Sequence, residues 1–215
     1  MKLTLLRIIL FISITIFTYS ATAEPFAYVG TFSNGTVNVI DTATNTVVDT
    51  ITLGAGPLGV SISPNGDFVY ISNFLEETIS VIKTETNHVV ATVNIGNMPR
   101  GIAVSPNGDL IYVANTGDNN VSVINASTFE IITNIEVGNF PFGVAVNPDR
   151  NTLYVTNRND FTLSFVNTTT NTVFKTIDTG DGPFGVVVTK DGTTVYVANF
   201  ISETISVIST FSNSI

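Results

Sequence analysis

The chain has 215 residues, eight Lys plus Arg, 17 Asp plus Glu, a formal charge of −9 and no cysteine. An acidic surface repels phosphate backbones and anionic lipid, so nucleic acid is excluded as a partner. Without thiols there are no disulfides, thiolate metal sites or cysteine nucleophiles.

Residues 1–23 have the pattern of a cleaved signal peptide. Lys2 and Arg7 form a basic start, and Ile8 to Phe17 is apolar apart from Ser13 and Thr15. Ala21-Thr22-Ala23 then supplies the small residues that signal peptidase requires before Glu24. The apolar stretch is short for a bilayer span. Export to the periplasm or cell surface is expected, with no stable membrane insertion after cleavage. Loss of Lys2 and Arg7 leaves six basic residues against 17 acidic ones, a charge of −11. Residues 24–215 suffice for one sizeable core.

From Glu24 onward the chain is periodic. Tyr28, Tyr70, Tyr112, Tyr154 and Tyr196 recur every 42 residues, as do Pro57, Pro99, Pro141 and Pro183, and Gly59, Gly101, Gly143 and Gly185. A fixed period of this length marks an array of identical supersecondary units. Within residues 57–95 there are four short apolar runs: Gly59 to Ser63, Phe68 to Ser72, Thr78 to Ile82 and Val89 to Val93. Pro64-Asn65-Gly66-Asp67 separates the first two with a hairpin signal. No stretch has competing helical periodicity. Four antiparallel strands in 42 residues predict one blade of a β-propeller. Val69 and Ile71 point one way and Tyr70 the other, so both faces of the sheet are apolar and both need cover. Ser61, Ala103 and Ala145 suit a crowded innermost strand, whereas the fourth copy carries Val187 there.

Tyr112-Val113-Ala114-Asn115, Tyr154-Val155-Thr156-Asn157 and Tyr196-Val197-Ala198-Asn199 resemble the YVTN-family β-propeller repeat. Val121-Ser122-Val123-Ile124, the Pro-x-Gly-Val elements and the Ser-Pro-Asn-Gly-Asp turns at 63–67 and 105–109 fit the same pattern, across residues 26 to about 209. The resemblance implies exported, often seven-bladed propellers of bacteria and archaea in surface-layer or periplasmic proteins. Its wider relatives include lactonases, quinoprotein dehydrogenase subunits and the propeller domain of nitrous oxide reductase. Three places depart from the pattern: Gly30-Thr31 in the first copy, Pro148-Asp149-Arg150-Asn151 in the third turn and Lys190 in the fourth.

The expected blades are 26–52, 57–94, 99–136, 141–178 and 183–209, the first lacking its inner strand and the last its outer one. Two arrangements are open: a shortened ring of about five blades, or a fragment of a larger seven-bladed ring with one side uncovered. The second is preferred. An uncovered flank of about 400 Å² forgoes about 10 kcal/mol of apolar burial, so self-association through an open blade edge is expected.

The connections from fourth strand to first and from second to third lie on one face, and they vary most. The first set places Leu58, Arg100, Phe142 and Phe184 after each Pro, near the mouth of the axis; the second carries Glu76, Glu77, Asp118, Asp160 and Glu203. Variation on one face of a constant scaffold is how repeat proteins build binding sites. Phe142 and Phe184 are expected to plug the channel top, and Arg100 to pair with a neighbouring loop acid. The acids lack the spacing of a Ca²⁺ loop.

His88, the only histidine, falls in an outer strand where other copies have Thr46, Glu130 and Thr172. No catalytic triad, histidine-rich metal centre, haem ligand pair or nucleophile elbow is visible. Asn73, Asn115, Asn157 and Asn199 recur in every following copy, which points to strand-end hydrogen bonding. The sequence thus reads as an exported, non-catalytic propeller scaffold for a protein or small ligand, with no cofactor. The alternatives are a metal-dependent lactonase or hydrolase-like enzyme and an accessory propeller of a periplasmic redox complex.

Overall fold

The computed structural model describes residues 26–54 and 56–215. The expected signal peptide and its cleavage point lie outside them. Among the described residues, none lies in a helix long and apolar enough to cross a membrane.

The strands form five antiparallel sheets, each a simple meander. The first sheet contains β1 (Phe26–Thr31), β2 (Thr36–Asp41) and β3 (Thr46–Thr52). The second contains β4 (Pro57–Ile62), β5 (Phe68–Asn73), β6 (Thr78–Lys83) and β7 (His88–Asn94). β8 (Pro99–Val104), β9 (Leu110–Asn115), β10 (Asn120–Asn125) and β11 (Ile131–Glu136) make the third. The fourth follows with β12 (Pro141–Val146), β13 (Thr152–Asn157), β14 (Thr162–Asn167) and β15 (Thr172–Asp178). The fifth has β16 (Pro183–Val188), β17 (Thr194–Asn199) and β18 (Thr204–Ser209). Among the described residues the first sheet has no counterpart of β4 and the fifth none of β7, as the repeat count predicts.

Local polar groups close each blade. Gly66 and Gly108 take φ of 78° and 82° in the Ser-Pro-Asn-Gly-Asp turns, a conformation glycine adopts without a Cβ penalty. Asp41, Asn125 and Asn167 each accept two backbone N–H bonds through Oδ1, from Ala43 and Thr44, Ser127 and Thr128, and Thr169 and Thr170. At the matching position Lys83 instead pairs with Glu85 at 2.6 Å. The recurrent asparagines do bond at the strand ends: Asn73 Nδ2 donates to Thr78 Oγ1 and Ser80 Oγ, both at 2.9 Å. Asn115, Asn157 and Asn199 repeat the arrangement on their own neighbouring strands.

The core lies between sheets. Val37, Val39 and Ile51 of the first pack on Val69, Ile71 and Ile82 of the second. Tyr70, Ile79 and Val81 then meet Ile102, Ile111, Val113 and Ile124. Tyr112, Val121 and Val123 meet Val144, Leu153, Val155 and Val166, and Tyr154, Leu163 and Phe165 meet Val186, Val195, Val197 and Ile208. In the first four sheets the tyrosine-bearing face is therefore covered by the next sheet, and β4, β8, β12 and β16 stand side by side around the axis. This is the radial stacking of propeller blades.

The fifth sheet breaks the series on one side. Tyr70, Tyr112 and Tyr154 are each 1 % exposed, but Tyr196 is 40 % exposed, and Ile205 and Val207 are 66 % and 48 % exposed. Its opposite face, with Val195, Val197 and Ile208, is fully buried. The tyrosine face of blade five is thus uncovered, and the first sheet does not close over it. Val187 is 61 % exposed; no inner strand crowds the position where other copies need Ser61, Ala103 or Ala145.

The glycine after each Pro-x marks the tightest approach. A Cβ on Gly59 or Gly101 would collide with the carbonyl oxygen of Arg100 or Phe142 in the next inner strand. On Gly143 it would lie 2.5 Å from the Phe184 carbonyl oxygen, whereas at Gly185 it would meet nothing within 4 Å. Gly101→Ala should therefore destabilise by about 1–3 kcal/mol, a fall in Tm of roughly 2–10 °C, and Gly185→Ala should be close to neutral. Thermal unfolding of the two variants, followed by far-UV circular dichroism, checks this; equal losses would contradict the close approach.

Candidate functional site

The mouth of the axis is shaped by a break in the ladder. Pro57, Pro99, Pro141 and Pro183 pair with Asn73, Asn115, Asn157 and Asn199, but pairing resumes only at Val60, Ile102, Val144 and Val186. The two residues between are released from their partner strand. Proline supplies a fixed φ and has no N–H to place. The glycine then lets the neighbouring backbone close in, so the side chain between them turns to the axis. Leu58, Arg100, Phe142 and Phe184 are these residues, and all four line one cavity of about 370 Å³. Val60, Ile102, Val144 and Val186 form its apolar wall.

A continuous series of rings and one guanidinium crosses this face. Phe32 and Phe74 stand 6.0 Å apart between ring centroids. The Arg100 guanidinium carbon lies 4.5 Å from the centroids of both Phe74 and Phe142. Phe142 stacks on Phe184 at 3.7 Å, and Phe184 approaches Phe200 at 6.1 Å. Phe140 joins from the side, 5.7 Å from Arg100 and 5.9 Å from Arg158. It holds φ at 57° where two other copies have Gly56 and Gly182. Such a conformation costs a bulky residue about 1–3 kcal/mol. The Phe140 N–H is anchored by Asn119 Oδ1 at 2.9 Å.

Arg100 does not pair with a loop acid as its sequence context suggested. Burial lowers the pKa of its guanidinium below the ordinary arginine value, and the like charge of Arg158 adds to the effect. The Nε atoms of Arg100 and Arg158 are buried without a hydrogen-bond partner. The reason is that the acids are engaged elsewhere. The Asp118 carboxylate accepts from the Asn97 backbone N–H at 2.8 Å and from Asn97 Nδ2 at 2.6 Å. Asp160 does the same with Asn139, at 2.7 Å for both bonds. The Glu76 carboxylate lies against Gly54 in the matching connection. Glu77 and Glu203 both hold φ at 56° as they lead into β6 and β18, and Glu203 borders a separate hollow with Phe200 and Ile201.

The structure therefore brings Leu58, Arg100, Phe142 and Phe184 together and leaves Glu76, Glu77, Asp118, Asp160 and Glu203 outside that group. Phe142 and Phe184 stack over one wall of the cavity without sealing it. Among the described residues, no three His, Asp or Glu side chains converge as a metal cluster. His88 is exposed on β7.

Sequence reasoning missed Phe74, Phe140, Arg158 and Phe200. Phe32, Phe74, Arg158 and Phe200 share one repeat position, immediately after the strand-end residue, so a column-by-column reading of the 42-residue period would have found three of them. The chemistry at the mouth is cation–π contact, apolar cover and two cations with no salt bridge among the described residues.

Comparison with known proteins gives one family and several similar folds. A family model described as "Lactonase, 7-bladed beta-propeller" matches residues 14–130. No curated protein matches the chain in sequence. Among solved structures, hydrazine synthase of Kuenenia stuttgartiensis is 15 % identical with a TM-score of 0.52, over 86 % of this chain and 92 % of that one. A functionally unknown protein from Desulfotomaculum acetoxidans DSM 771 is 24 % identical with a TM-score of 0.72, covering 84 % of this chain and 64 % of that one. Dihydro-heme d1 dehydrogenase NirN, in complex with DHE, is 18 % identical with a TM-score of 0.73, over 89 % and 42 % of the respective chains. At these identities the likeness is one of fold, and the chain spans less than two thirds of the last two proteins. The family match covers more than half of the chain, and with the radially stacked sheets it places this protein in the seven-bladed β-propeller lactonase family.

Proposed function

We propose that this chain is an exported, non-catalytic propeller scaffold of the YVTN-repeat type, which binds a small ligand or a protein segment at the mouth of its axis in the periplasm or at the cell surface. One observation carries the reading: Leu58, Arg100, Phe142 and Phe184 differ among copies of an otherwise constant element, yet line a single cavity of about 370 Å³. A cavity of that size with apolar walls and one charged group suits a small ligand. Export is supported by the basic start, the apolar stretch and Ala21-Thr22-Ala23.

A second reading, a metal-dependent lactonase or hydrolase-like enzyme, is favoured by the family match over residues 14–130. One set of measurements separates them. A thermal-shift screen of small organic compounds on the full chain should give hits that Phe142→Ala and Phe184→Ala abolish, with no metal retained after dialysis. Stoichiometric metal by elemental analysis, together with chelator-sensitive hydrolysis of a simple lactone, would instead establish the enzyme.

The uncovered tyrosine face of blade five takes a second copy of the chain. Four times within the molecule, a face of this composition is covered by the opposite face of the next sheet. The first sheet presents that opposite face with Val29 exposed, so a second copy carries the complementary surface. The contact is head-to-tail, and such contacts grow into open assemblies unless their rotation closes. Light scattering should report association that rises with concentration, and Ile205→Lys with Val207→Lys should reduce it at least several-fold. A monodisperse monomer of the unaltered chain would overturn this.

A further inference from the structure

Two positive charges stand at and beside the mouth, and among the described residues neither is in a salt bridge. Arg100 reaches it from the released segment of β8, and Arg158 from the loop between β13 and β14; both guanidiniums stand within 6 Å of the Phe140 ring centre. The chain as a whole is strongly acidic, yet among the described residues the salt bridge is Lys83 with Glu85, at the turn between β6 and β7. Two loop acids of this face, Asp118 and Asp160, engage both carboxylate oxygens with Asn97 and Asn139.

Bringing like charges together and stripping water from them is unfavourable unless a counter-charge arrives. The scaffold does not require the pair. At the repeat position of Arg100 other copies have Leu58, Phe142 and Phe184, and at that of Arg158 they have Phe32, Phe74, Thr116 and Phe200. Each arginine occurs once, in a different blade, and the two share the Phe140 ring only because the ring of blades brings them round.

Deepening the binding reading above, on which it rests, we infer that the mouth cavity takes a small organic carboxylate with a flat or apolar body. Its carboxylate meets Arg100, the arginine that lines the cavity, with Arg158 adding positive charge from the side of Phe140, and its body lies along Phe142, Phe184 and Leu58. The planar guanidinium fork matches a carboxylate in two parallel hydrogen bonds. Arg100 is held in place for this by Phe74 and Phe142, whose ring centres both lie 4.5 Å from its guanidinium carbon. With Nε of both arginines buried, the terminal Nη groups are what an incoming anion meets. The apolar wall of Val60, Ile102, Val144 and Val186 gives a hydrated inorganic anion little to bond and an organic body a place to lie.

The test titrates the full chain at low ionic strength with three probes: benzoate, its neutral isostere benzamide, and inorganic phosphate. Binding is read by calorimetry and by the arginine side-chain ¹⁵N–¹H resonances. Benzoate should bind saturably and shift the Arg100 and Arg158 signals, with benzamide and phosphate at least tenfold weaker. Arg100→Gln and Arg158→Gln should each weaken benzoate tenfold or more, and Arg100→Lys should recover only part, since it keeps the charge and loses the fork. The side-chain spectrum of the unaltered protein decides the matter even if a variant fails to fold. Benzoate and benzamide binding equally would overturn the anion assignment while leaving the mouth a binding site. Phosphate binding as tightly as benzoate would overturn the organic-body assignment. If all three probes leave the arginine signals unmoved while neutral compounds from the screen still bind, the inference fails and the scaffold reading stands; if nothing binds at the mouth, both fail.

Discussion

Every sheet in this chain is apolar on both faces, and that forces the architecture. A sheet with Val69 and Ile71 on one side and Tyr70 on the other has no solvent face, so each blade is stable only between neighbours. The pairing is directional: the tyrosine side always meets the valine and isoleucine side of the following sheet. Direction and a twist of constant hand together turn a stack into an arc around an axis. The same rule explains the fifth sheet, whose side chains are those of the other tyrosine faces and whose exposure differs only for want of a neighbour.

Around the axis the constraint becomes steric. Inner strands come so close that a single Cβ at Gly59 or Gly101 would strike the next backbone. Hydroxyls bridge some of these gaps. Ser72 Oγ accepts from the Gly59 N–H at 2.8 Å and donates to the Arg100 carbonyl at 2.6 Å, and Thr156 links Gly143 to Phe184 in the same way. The other copies place Ala114 and Ala198 there, so the bridge is an option and the glycine is not. The buried asparagines fix the strand ends at a cost: Oδ1 of Asn73, Asn115 and Asn199 has no partner, whereas that of Asn157 accepts from the Gly138 N–H at 3.1 Å. An unmet buried acceptor costs about 1–3 kcal/mol, which the two bonds from each Nδ2 offset.

What was legible in the sequence follows from these constraints. Strand positions, the incomplete first and fifth sheets and the role of Asn73 and its equivalents could be read because they repeat, and repetition reports what every blade needs. Val187 looked like an exception to the rule of small inner residues and is a consequence of it, since no strand crowds that site. The mouth was legible only in part. Leu58, Arg100, Phe142 and Phe184 were visible as a variable column, but the environment of Arg100 was not. Its neighbours Phe74, Phe140 and Arg158 come from different blades and loops, and sequence distance gives no hint of that convergence. The expected salt bridge failed for a local reason: Asp118 and Asp160 lie closer to backbone amides that need them.

The contrast between the two kinds of position separates function from architecture here. Columns that are constant, such as the glycines and strand-end asparagines, are explained by contacts within and between blades. The columns at the mouth are unequal, and the side chains at Arg100, Phe140 and Arg158 are ones the fold does not need: an aromatic ring at a positive-φ position where two copies have glycine, two cations without a salt bridge among the described residues and buried unpartnered Nε atoms. Other copies carry leucine or phenylalanine at the Arg100 position and phenylalanine or threonine at that of Arg158, so the repeat does not require arginine at either. A domain of marginal stability retains such a cluster at a net cost, and the cost falls on the one face where the loops vary and the axis opens.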